Sequence, residues 1–147
     1  MGLDNGIVLK AKEDIRVPNE LILTKYDIRG SFNSDDIDEP LDIILKDEQV
    51  EICYWRKCWG MRNEMIHCLE KCNLDTEYTY KIPLDELDEV CDIINKFTKE
   101  KYYNMYARSI WDWDEMVDKL KLQVARLKWC KELLREDKIE LEFYDSY

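Results

Sequence analysis

Apolar and polar positions alternate at two periods along this chain, and each period predicts its own elements. Residues 7–12, IVLKAK, are β-branched and apolar and then alternate, which predicts a strand entered from the turn-like triplet Asp4-Asn5-Gly6. A second strand is predicted at 21–26. Residues 29–40, RGSFNSDDIDEP, collect Gly, Ser, Asn, Asp and Pro without apolar rhythm and read as an exposed loop. A short strand or helical turn follows at 41–45. At 50–55 Val50, Ile52 and Tyr54 alternate with Glu51, Cys53 and Trp55, a strand pattern.

Helical spacing takes over at 59–72, where Met61, Met65, Ile66, Leu69 and Cys72 recur every three or four residues. Residues 79–82 read as a strand. Pro83 then opens a helix with Asp85 and Glu86 at the positive end of its dipole and a stripe of Leu84, Leu87, Val90, Cys91, Ile94 and Phe97, ending near Thr98. Trp113, Met116, Val117, Leu120, Val124, Leu127, Lys131 and Leu134 mark a third helix of about 23 residues, roughly 34 Å long. Ile139, Leu141 and Phe143 alternate with Glu140, Glu142 and Tyr144 in a closing strand with one wet face. Three helices and four to six short strands in mixed order predict an α+β fold, a mostly antiparallel sheet with helices on one face.

The 147 residues suit one domain, 1–147. Subtracting 33 acidic from 22 basic residues leaves a net charge of −11, which disfavours direct nucleic-acid binding through phosphate contacts. No run of 18 apolar residues and no secretory leader pattern occurs, so the expected location is the cytoplasm, away from membranes. The six cysteines are then reduced thiols. Zinc is the alternative, because Cys53, Cys58, Cys68 and Cys72 cluster around His67, but their spacings do not match paired ligands on turns; no metal and no cofactor is assigned.

Candidate chemistry concentrates in residues 54–67, YWRKCWGMRNEMIH, which span a strand end, a turn over 57–60 and a helix start. Arg56, Lys57 and Arg62 form a basic island in an acidic chain. Two guanidinium groups suit bidentate grip on phosphate or carboxylate, and helix-start N–H groups add donors. The competing reading keeps Trp55 and Trp59 in the core and pairs the arginines with nearby carboxylates. Neighbours on a strand face opposite ways, so Trp55 is expected in the core and Arg56 on the concave side. Asp4 and Asn5 either join this site or form a tight turn. With one histidine, four glycines and no Gly-x-Ser-x-Gly, neither a Ser-His-Asp enzyme nor a Gly-rich phosphate loop is expected, and no catalytic residue is assigned.

The opening MGLDNGI, the block YWRKCWGMRNEMIH and the closing FYDSY resemble a family of small phage and prophage proteins that begin Met-Gly-Leu-Asp and carry Tyr-Trp-Arg-Lys. Tyr54, Trp55, Arg56 and Lys57 match directly; Asn63 and His67 match if the turn over 58–62 is longer than in the family. The resemblance implies a phage accessory product in the bacterial cytoplasm and no particular reaction. The leading expectation is a counter-defence protein that sequesters or senses a phosphorylated nucleotide-type ligand, a small anion, through Tyr54, Arg56, Lys57, Arg62, Asn63, His67, Asp4 and Asn5. The second is an acidic DNA mimic that inhibits a host nucleic-acid enzyme, with Asp35, Asp36, Asp38 and Glu39 and the final acidic strand at its contact surface. A small enzyme using the same basic site is the third.

Overall fold

The computed structural model describes residues 4–23, 41–56, 58–72, 79–98, 100 and 113–146, with the backbone alone at Arg56. The chain runs β1 (Asp4–Ala11), β2 (Ile15–Arg16), a 3-10 turn at Asn19–Leu21, β3 (Ile43–Ile44), β4 (Gln49–Arg56), α1 (Trp59–Leu69), a 3-10 turn at Glu70–Cys72, β5 (Thr79–Lys81), α2 (Leu84–Asn95), α3 (Trp113–Arg135) and β6 (Ile139–Ser146). Four strands form one antiparallel sheet in the order β4-β1-β6-β5, while β2 and β3 pair separately. The fold is α+β, with the three helices of the described residues on one face of the sheet.

β1 lies inside the sheet, paired with β4 along one edge and with β6 along the other. Ile7, Leu9 and Ala11 stand level with Phe143, Leu141 and Ile139 of β6 and are all buried. Trp55 and Phe143 are the largest fully buried side chains of this face. From α3, Gln123 accepts a 2.9 Å hydrogen bond from Trp55 Nε1 and Arg126 donates one of 3.1 Å to the Ile52 carbonyl, pinning the helix onto β4. The opposite face carries Asp4, Gly6, Val8 and Lys10. Beyond α3, Asp137 takes a left-handed φ of 59°, and Lys138 N–H donates to the Leu133 carbonyl at 2.9 Å, turning the chain directly into β6.

Four expectations are corrected. Asp4-Asn5-Gly6 is not a turn but the first three residues of β1. Residues 21–23 are not in a strand: Leu21 closes a 3-10 turn and Ile22 has φ 26°, while 24–26 and the loop predicted at 29–40 lie outside the described residues. The helix after Pro83 stops at Asn95, short of the end expected near Thr98.

The fourth correction positions the site. Register shifts between Ile7, level with Cys53, and Val8, level with Glu51, so Ile52 is an extra, bulged residue. Simple alternation would put Glu51 with Cys53 and Trp55. With the bulge, Val50, Cys53 and Trp55 share the helix-covered face, and Glu51 joins Tyr54 on the other.

Candidate functional site

At one end of the sheet β1 begins while β4 and β6 finish. Asp4 stands level with Arg56 and Ser146, Asn5 with Trp55 and Asp145, and Gly6 with Tyr54 and Tyr144. Four residues expected at a site, Asp4, Asn5, Tyr54 and Arg56, therefore meet at this end, but pleating divides them between two faces.

On the outer face Tyr54 Oη donates to Asp4 Oδ1 at 2.6 Å, and Tyr144 Oη donates to Glu51 Oε2 at 2.5 Å. Glu51 is 7% exposed. Burial pushes its carboxyl up to about 7, the nearby Asp4 charge adds to the shift, and the Tyr144 hydrogen bond opposes it. Burial and the adjacent Glu51 carry the Tyr144 phenol far above its ordinary range. Because β6 and β4 flank β1, the Tyr144 ring reaches Glu51 by crossing over Gly6. A Cβ at Gly6 would lie 3.0 Å from Tyr144 Cε1 and 3.2 Å from its Oη, and would collide with the Cys53 carbonyl oxygen. A bare backbone at this position is what the crossing requires.

The helix-covered face holds the second group. Asn5 is 0% exposed, yet neither Nδ2 nor Oδ1 of its amide has a hydrogen-bond partner. Its strand neighbour Asp145, 6% exposed, accepts a 2.8 Å charged hydrogen bond from Arg62 Nε on Oδ2, while Oδ1 has no partner. Burial raises the Asp145 carboxyl above its usual range and the Arg62 guanidinium opposes that rise. Arg62 also lies over the Trp59 ring, 5.5 Å from its centroid, and approaches Asn63 Oδ1 at 3.4 Å. No acidic residue occupies the first turn of α1, which leaves the positive end of its dipole uncompensated by side-chain carboxylates on that turn.

The other expected site residues separate. Asn63 is exposed beside Arg62, whereas His67 is exposed in the last turn of α1, at the helix end away from this group. Lys57 and the Arg56 side chain lie outside the described residues. Trp55 is fully buried, as expected from its strand position. Sequence reading missed Glu51, Tyr144, Asp145 and Gln123: the bulge that turns Glu51 outward leaves no mark in the alternation, and the other three act only through partners far along the chain.

Five of the six thiols are buried and held in the protonated form. Burial pushes Cys58 and Cys68 up to about 12 and Cys91 to about 11, and lifts Cys53 and Cys130 further, so the thiolate is scarce at neutral pH. All six cysteines are free. The one grouping of possible metal ligands among the described residues is Cys68, Glu86 and Glu89, within 4.8 Å of one another. There the Lys71 ammonium pairs with Glu86 at 3.2 Å and Glu89 at 3.9 Å and supplies the cation. Beside it an open acidic groove of about 600 Å³ is lined by Glu64 of α1, by Asp85, Asp88, Glu89, Asp92 and Ile93 of α2, and by Lys96. No helix among the described residues is long and apolar enough to cross a membrane. Compared with protein-family models, curated proteins and solved structures, the chain matches none.

Proposed function

We propose that the protein works by binding, taking a small phosphorylated, nucleotide-type ligand at the sheet end where Asn5, Asp145 and Arg62 meet the start of α1. The observation that carries this reading is the set of three buried polar atoms without partners, Asn5 Nδ2 and Oδ1 and Asp145 Oδ1, beside a guanidinium oriented by Asp145 and Trp59. Buried polar groups are normally paired, because an unpaired one forfeits roughly 1–3 kcal/mol, and a ligand that pairs them regains that free energy. The dipole of α1 and Arg62 favour an anionic group on that ligand, and the acidic remainder of the surface repels polymeric nucleic acid. In the setting that the family resemblance implies, the protein is a phage accessory factor that sequesters or senses such a ligand in the host cytoplasm. The reading assigns no catalytic residue.

Thermal shift against mononucleotides, dinucleotides and cyclic nucleotides tests it. A ligand at a hundredfold excess over Kd stabilises by about 2.7 kcal/mol, an easily measured rise in melting temperature. Arg62→Ala is expected to abolish the rise, and a panel in which no nucleotide moves the wild-type melting temperature refutes the reading.

The acidic α1–α2 groove favours a second reading, in which its carboxylates imitate a phosphate backbone and dock a host nucleic-acid enzyme. That association weakens steeply as salt is raised, since rim charges govern capture. Salt-insensitive capture, or capture unaffected by Asp88→Lys, excludes the groove. The acidic residues 35–39 that entered this reading at the sequence level lie outside the described residues.

A further inference from the structure

We infer that the Asn5 amide and Asp145 Oδ1 together read the hydrogen-bonding edge of an aminated nucleobase (adenine, guanine or cytosine), an inference that rests on the ligand reading above and specifies the base. The three unpartnered atoms amount to one donor, Asn5 Nδ2, and two acceptors, Asn5 Oδ1 and Asp145 Oδ1. Their complement is a planar edge with one acceptor and two donors. An exocyclic amino group beside a ring acceptor supplies that set in adenine and cytosine, and the O6, N1–H and amino group supply it in guanine. Uracil offers one donor between two acceptors, and hypoxanthine lacks the amino group, so either would leave a buried carboxylate or amide oxygen unpaired.

Geometry explains why the protein does not satisfy these atoms by itself. Asn5 and Asp145 stand level on paired strands, the closest cross-strand placement available, and still make no bond to each other. Arg62 Nε holds Asp145 Oδ2 at 2.8 Å and so fixes the direction in which Oδ1 points. Arg62 is in this sense a positioning residue: it orients the reading oxygen and is not itself assigned to the base. Asn5 is completely covered, so ligand entry requires this end of the sheet to open, and association follows a conformational step.

The test is isothermal titration of the full chain with adenosine, guanosine, cytidine, uridine and inosine monophosphates, each as the linear and the 3′,5′-cyclic form. Sites built to pair a polar substrate group reject the analogue that lacks it, so the tightest aminated nucleotide should exceed its deaminated counterpart, inosine for the purines and uridine for cytidine, by about tenfold or more. Asn5→Ala should narrow that preference, because it removes one of the two reading acceptors. This comparison of ligands on the wild-type protein stands even where Asn5→Ala fails to fold. Equal affinity for aminated and deaminated members, still lost in Arg62→Ala, overturns the base reading and leaves nucleotide binding in place; no binding by any of the ten overturns both.

Discussion

Glu51 and Tyr144 show how a single proton is tied to the stability of this sheet. The Glu51 carboxyl ionises near 7 in the folded protein against an ordinary value of 4.5, so between those limits the native state binds more protons than the unfolded chain. Stability must then fall as pH rises through this window, by about 3 kcal/mol for this group, and none of that contribution is lost by going more acidic. Urea midpoints at pH 5 and pH 8 measure the fall, and Glu51→Gln, which keeps an acceptor for Tyr144 Oη, should flatten it; an unchanged pH slope in the variant would show that Glu51 is not the group. Gly6 sits under the same contact, and Gly6→Ala forces its methyl group against the Cys53 carbonyl and the Tyr144 ring. Overpacking of that kind costs about 1–3 kcal/mol or more, and a melting temperature equal to wild type would mean that β1 shifts freely at this point. On the other face, Arg62→Ala leaves the Asp145 carboxylate buried without its cation. The expected loss is about 3 kcal/mol, and Asp145→Asn added to Arg62→Ala should recover part of it, because the uncompensated charge is the larger penalty.

At the scale of elements, α3 is joined to the sheet by directional bonds as well as by apolar packing. Arg126 donates to the carbonyls of Leu21 at 3.1 Å, Ile22 at 2.6 Å and Ile52 at 3.1 Å, bridging the 3-10 turn and β4. Replacing it with Met keeps the aliphatic stem and removes the bonds. The expected cost is about 3 kcal/mol, with faster hydrogen exchange at residues 21–23 than elsewhere, since charged hydrogen bonds contribute roughly 1.5–3 kcal/mol each and part is regained by solvation. Arg126 also marks the limit of what the sequence makes legible. Helix α3 and strand β6 are plain in the chain because apolar residues recur every third or fourth position in the one and, as far as Phe143, every second position in the other, and most of them are buried. Leu21 and Leu23 carry the same alternation, but there it seats a turn whose carbonyls are claimed by a side chain about a hundred residues away, and no local pattern records that claim. Gly6 resembles a turn residue for the same reason: its need for a bare backbone comes from the Cys53 carbonyl and the Tyr144 ring, both distant in sequence. Of the site, the sequence shows which residues gather at the strand end, Asp4, Asn5, Tyr54 and Arg56, and Arg62 after it. It does not show the bulge at Ile52, which decides that Glu51 faces Tyr144, nor the register that sets Asp145 beside Asn5.

At the scale of the whole molecule, charge is unevenly supported. The chain carries −11 overall, and α2 alone bears Asp85, Glu86, Asp88, Glu89 and Asp92. Two of the lysines that meet this helix are committed: Lys71 to Glu86 and Glu89, and Lys131 to Asp88 at 3.1 Å. Asp92 is exposed one turn from the C-terminal end of α2, where the helix dipole is negative, and it faces the acidic groove with Glu64, Asp85 and Asp88. A carboxylate there is opposed both by the dipole and by its neighbours, so Asp92→Lys should stabilise by about 0.5–1 kcal/mol in dilute buffer. Salt separates this origin from any change in packing. The Debye length contracts from about 30 Å at 0.01 M to about 8 Å at 0.15 M, so self-repulsion across the groove is largely screened at the higher salt. Wild-type melting temperature is therefore expected to rise between these two conditions, and the advantage of Asp92→Lys to shrink by more than half. A gain that persists undiminished at 0.15 M would place its cause in local contacts of the new side chain.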